Sequence, residues 1–246
     1  MLSFEFAPLK EDYKIITVSP SELESTLVPS PFTQDDVRKR FLTLEVWHMA
    51  EAIAWATISN DTDDMAKHLC EITRAYLDAS NIHFYSPAWK EDKKFIWFYE
   101  WMEQIIDLYR PYRSVYDLRN YRAWVEINFS WYKILLTWEI DWWVNWDHLY
   151  DNKTASSKWD LDEKRAMHCF QARFYSWMNM LANDVGTLDF TYLVTVKNKK
   201  MLLQEMTHTL TREECEKFVY DKLYQYCLWL HNGTIADNST AIQRMQ

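Results

Sequence analysis

The stretch that decides the fold runs from Ser114 to Tyr150, SVYDLRNYRAWVEINFSWYKILLTWEIDWWVNWDHLY. It opens on Ser114 with Asp117 three residues on, side chains that cap and charge a helix start. No proline or glycine interrupts it. Trp124, Trp131 and Trp138 recur at seven-residue spacing, as do Tyr121, Leu135 and Trp142 around Asn128. A repeat of seven places each set along nearly one line of a helix. The spacing predicts a single long helix over about 115–150.

The rest of the chain extends that reading. Gly186 and Gly233 are the two glycines in 246 residues, beside 14 Trp, 15 Tyr and 12 Phe. Phosphate-cradling loops, dinucleotide folds and nucleophile elbows need glycine where φ is positive or the backbone presses on a ligand, so these functions are excluded. Thr33, with Asp35 and Asp36, starts a predicted helix over 34–58, and NDTDD at 60–64 starts another over 62–79. Ser86-Pro87 opens a third over 87–109, which Pro111 ends. Asp160 with Glu163 predicts a helix over 161–183, and Met201–Thr209 reads as a short helix. Thr211 and Glu214 form a capping box for a last helix over 212–231.

Two segments read otherwise. Tyr13–Val18 is β-branched and predicts a strand; Ser19, Pro20 and Glu22 then cap a short helix that ends by residue 31. Thr and Val in DFTYLVTVKN predict a strand over 188–197, pairing with 13–18. The expected fold is therefore mainly all-α, a multi-helix bundle around the central helix with at most this two-stranded element. Its expected domains are an irregular 1–33, a single helical unit 34–231 with a sub-boundary in the linker 151–159, and a flexible tail 232–246.

Charge and cysteine usage narrow the function. A net charge of −9 disfavours nucleic acid as a partner and favours a basic protein. No run approaches the roughly 18 apolar residues of a membrane span. Four dispersed cysteines and an acidic N-terminus without a leader pattern point to the cytoplasm.

Two constellations carry chemistry. Glu45–His48 and Glu205–His208 are Glu-x-x-His pairs, adjacent on a helix face, and bundles holding two iron or manganese ions use two such pairs plus bridging carboxylates such as Glu126 and Glu139. That is the enzymatic alternative; the main reading has no cofactor. The second constellation is aromatic and acidic: Trp97, Trp101, Trp124, Trp131, Trp138, Glu139, Asp141, Trp142, Trp143 and Trp146. Consecutive rings such as Trp142-Trp143 cannot share one core face of a helix, so some of them meet a partner rather than the core. In being acidic, aromatic-rich and helical without nucleotide or nucleophile motifs, the chain is similar to many immunity proteins of bacterial toxin systems. That resemblance implies a non-enzymatic protein that engages a basic protein partner. Self-association, as in a viral or other assembly subunit, is a further alternative.

Overall fold

The computed structural model describes residues 2–28, 104–115, 118–145, 147–155, 157–158, 169–196 and 200–235. The predicted helices over 34–58 and 62–79, most of that over 87–109, and the tail beyond residue 235 lie outside them.

The decisive stretch is not a helix. It forms three strands, β3 (Leu118–Phe129), β4 (Tyr132–Asn145) and β5 (His148–Ala155). Side chains explain why. Val125, Ile127, Phe129, Tyr132, Ile134 and Leu136 are buried, while the alternate residues Trp124, Glu126, Asn128, Lys133, Leu135 and Thr137 face outward. A period of two is the strand period, and it overrides the seven-residue spacing of three tryptophans. Phe129 pairs with Tyr132, so the β3–β4 turn consists of Ser130 and Trp131 alone. Such turns need positive φ, a role glycine normally fills; here Ser130 takes it, at φ 55°. Scarcity of glycine was therefore no guarantee of helix.

Among the described residues, seven strands form one mixed sheet. The N-terminal strands β1 (Leu2–Ala7) and β2 (Lys14–Val18) flank the β3–β4 hairpin, β1 parallel to β3 and β2 parallel to the first half of β4. β5 pairs with the end of β4 through Trp142–Tyr150, Trp143–Leu149 and Asn145–His148. It then leaves β4 to pair in parallel with β6 (Thr187–Val196), which pairs antiparallel with β7 (Leu202–Thr211). The sheet is thus a four-stranded part, β1-β3-β4-β2, and a three-stranded part, β5-β6-β7, joined at the end of β4.

Four expectations fall with the all-α bundle. The predicted strand 13–18 exists but pairs with β4, not with 188–197. Asp151–Ala155, in the expected linker, belongs to β5, and Leu202–Thr209, in the expected short helix, belongs to β7. The N-terminal segment, expected to be irregular up to Tyr13, holds β1.

Capping made the helices legible. In α1 (Pro20–Leu27) the Ser19 side chain accepts from the Glu22 backbone N–H, and the Glu22 carboxylate accepts from the Ser19 N–H at 2.7 Å. The described part of the third predicted helix is 104–109 (α2), followed by a 3-10 turn, Arg110–Val115. α3 (Cys169–Asn183) crosses between the parallel strands β5 and β6. α4 (Arg212–His231) starts where predicted, with the Thr211 hydroxyl accepting from the Glu214 N–H at 3.3 Å.

Helices α1, α3 and α4 share one face of the sheet. Leu23, Leu27, Phe174, Trp177, Met178, Val219 and Leu223 pack there on Ile127, Ile134, Leu136, Phe190, Tyr192 and Val194. At about 25 cal/mol per Å² of apolar surface, this burial is the main favourable term of folding. On the opposite face α2 covers β5-β6-β7, with Ile105, Ile106 and Tyr109 buried. That is why β6 is buried on both faces from Phe190 to Val196. Among the described residues, nothing comparable covers the outer face of β1-β3-β4-β2. Among them, too, no helix is long and apolar enough to cross a membrane.

Candidate binding surface

The predicted metal ligands do not come together. Glu205 and His208 lie on β7, where residues three apart point to opposite sides of the sheet. Glu205 is exposed and accepts a hydrogen bond from the Tyr112 hydroxyl; His208 is buried towards the helices, its ring 6.4 Å from Tyr192. Glu126 is held on the outer face by Lys133, at 2.7 Å, and Glu139 sits on β4 opposite Arg122. Glu45 and His48 lie outside the described residues. Among those described, no three His, Cys, Asp or Glu side chains gather as metal ligands.

The aromatic residues separate according to strand geometry. Trp124 and Trp131 are 48% and 39% exposed. Trp138, Glu139, Asp141, Trp142 and Trp143 lie along β4, while Trp97, Trp101 and Trp146 fall outside the described residues. Strand pairing builds a surface around Trp124 that the sequence reading did not contain. Two rows cross the four strands: Ile15, Lys133, Asn128 and Glu5, then Thr17, Leu135, Glu126 and Ser3. Trp124, opposite Thr137, begins the next. Ile15 is 61% exposed and Tyr13 40%. Asn128 donates to the Glu5 carboxylate at 3.4 Å, and the Glu126 hydrogen bond holds the Lys133 ammonium above its ordinary pKa. The face thus combines exposed Ile, Tyr and Trp with ordered acids. The alternation in Trp124–Phe129 was the signal that could have revealed it.

The face of β5-β6-β7 under α2 is polar. His148 Nε2 lies 2.8 Å from Thr191 Oγ1, which lies 2.8 Å from Thr207 Oγ1; Thr209 donates to Asp189 at 2.6 Å. The His148 ring stacks on Tyr150 at 4.4 Å. Burial holds the imidazole below its ordinary pKa, partly offset by Asp189 and Asp147. A hydroxyl beside an imidazole resembles an activated nucleophile, but Thr191 is 1% exposed and out of a substrate's reach. The network orders the sheet. Burial likewise pushes the Cys215 and Cys227 thiols up to about 12, which leaves them unreactive.

A charged cluster sits where β5 leaves β4. Asp151, buried on the helix side, pairs with Lys153, and Lys153 in turn faces Glu24 of α1. Burial raises the Glu24 carboxyl above its ordinary pKa, and Lys153 partly counters this.

No protein-family model matches the chain, and no curated protein matches it. Fold and surface define its class: a mixed α/β protein with α1, α3 and α4 on one sheet face and an aromatic, partly acidic opposite face over β1-β3-β4-β2.

Proposed function

We propose that the protein is a non-enzymatic interaction protein, immunity- or inhibitor-like, which engages a basic protein partner through the outer face of β1-β3-β4-β2. The observation that carries this is the joint exposure of Tyr13, Ile15 and Trp124 on one sheet face that no helix among the described residues covers. Large apolar groups held in water on a rigid sheet are the anchors that interfaces use, because docking them costs little conformational entropy. The basic character of the partner rests on the net charge of −9 and on Glu5 and Glu126, which share this face with Trp124. Aromatic rings of this protein already accept cations: Lys10 Nζ lies 5.6 Å from the Trp131 centroid and the Arg173 guanidinium 4.8 Å from that of Phe218. The free thiols Cys215 and Cys227 support a reducing compartment, the cytoplasm.

A photo-crosslinking amino acid placed at Ile15 or Trp124, and at the exposed Ser21 on α1 as a control, tests the reading in cells that make the protein. The expected result is one adduct, identified by mass spectrometry as a basic protein, from positions 15 and 124 but not from 21. Binding of that partner weakens several-fold as salt rises through about 0.1 M, where the screening length is ~10 Å. Equal labelling from all three positions, or an acidic partner, refutes it.

A further inference from the structure

We propose that α4 carries a second interaction surface and that its occupant is a second copy of this chain, bound two-fold and antiparallel. Tyr220, Tyr224 and Leu228 are 39%, 51% and 40% exposed and stand four residues apart on α4. Together they make one outward ridge. Trp131, at the β3–β4 turn, extends it by stacking on His231 at 4.4 Å. The ridge is distinct from the core side of α4, where Cys215, Val219, Leu223 and Cys227 are buried.

The ridge is also held in place. Tyr220 packs edge-on against Phe6 at 5.3 Å, lies 5.5 Å from Phe129, and stacks with Tyr224 at 6.2 Å. Apolar rings fixed in this way lose little freedom on docking. A four-residue row is the ridge by which one helix seats in the groove of another.

The complementary ends of α4 point to a copy of the same chain as occupant. The first turn of α4 carries Glu213 and Glu214, and its last turn carries His231. An antiparallel pair with its two-fold axis between Tyr220 and Tyr224 sets each Tyr220 against the partner copy's Tyr224. The same axis sets each Glu213 against the opposite helix end and aligns the two helix dipoles favourably. A parallel pair brings like ends together. From Tyr220 to His231 the ridge is about 16 Å long at 1.5 Å per residue. So short a ridge is small beside the ~800 Å² per partner of a stable complex, which makes this a weak dimer.

Salt distinguishes this surface from the sheet face. Two copies each of net charge −9 repel at long range. Screening that repulsion strengthens the dimer, whereas binding of a basic partner weakens.

Sedimentation equilibrium of the full chain over about 1–300 µM tests the proposal. The expected result is a reversible dimer that tightens several-fold between about 0.05 and 0.5 M NaCl. Tyr224→Glu and Leu228→Glu each weaken it about tenfold or more with an unchanged far-UV spectrum, while Ile15→Glu leaves it unaltered. Tyr220→Glu and Tyr224→Lys each fail to dimerise alone, and mixing them restores association. Should Tyr224→Glu not fold, Leu228→Glu decides. A monomer throughout the range, or a dimer indifferent to the folded ridge variants, overturns the proposal.

Discussion

Replacing Ser130 by glycine separates the strand and helix readings by the sign of one stability change. Ser130 sits in the two-residue turn between Phe129 and Tyr132 at φ 55°. Its conformation is pinned from both sides: its N–H donates to the Ala7 carbonyl, and its carbonyl accepts from the Lys10 N–H at 2.9 Å. Holding a residue with a Cβ in the left-handed region costs about 1–2 kcal/mol. Glycine avoids that cost but gives up roughly 0.5–1 kcal/mol of extra unfolded-state entropy. The net expectation for Ser130→Gly is a gain of about 0.5–1 kcal/mol, or ~1–4 °C in Tm for a chain of this length. Ser130→Val, β-branched at positive φ, loses about 1 kcal/mol or more. Were this stretch a helix, Ser130→Ala would be the most stable variant and Ser130→Gly the least. Urea midpoints at constant m-value measure the order. Glycine below serine, with alanine above it, refutes the turn.

Three further outcomes follow from the buried charges and thiols. Lys153→Met leaves Asp151 buried without its cation and lowers stability by about 3 kcal/mol in urea titration; Glu24→Gln, which removes a carboxylate that burial disfavours, costs nothing at pH 7 or stabilises. A lowered imidazole pKa means that the His148 contribution is full above its unfolded pKa of ~6.5 and is lost as pH falls through the folded value. The wild-type midpoint therefore drops more steeply than that of His148→Gln below about pH 6.5, and parallel curves refute this. Cys215 and Cys227, with thiols pushed up to about 12, stay unlabelled by a thiol reagent at neutral pH in the native protein and react on unfolding; peptide mapping that finds either labelled while native refutes their burial.

How much of this was legible depends on how far apart the deciding residues lie. The starts of α1 and α4 were readable because a helix cap is complete within four residues: the capping box of Ser19 with Glu22, and the Thr211 hydroxyl on the Glu214 N–H. β2 and β6 were readable from β-branched runs, although not their partners. The candidate surface was partly legible. Trp124 and Trp131 were singled out as partner residues and are exposed, but Tyr13 and Ile15 were not, because only the β2–β4 pairing brings them to that face.

The sequence by itself determined the helix caps, the β-branched strands and the acidic, aromatic-rich character of the chain, because each depends on neighbouring residues or on composition. Tertiary structure decided the rest. Leu118–Phe129, Tyr132–Asn145 and Leu202–Thr211 contain good helix formers and no glycine, yet all three are strands. Their alternate residues Val125, Ile127, Phe129, Met206 and Leu210 are buried on one face of the sheet, against helices that are distant in sequence. Burial on one side of a ladder rewards a period of two over the local preference for a turn of 3.6. The same choice sends Glu205 and His208 to opposite faces and leaves Trp124 in the open.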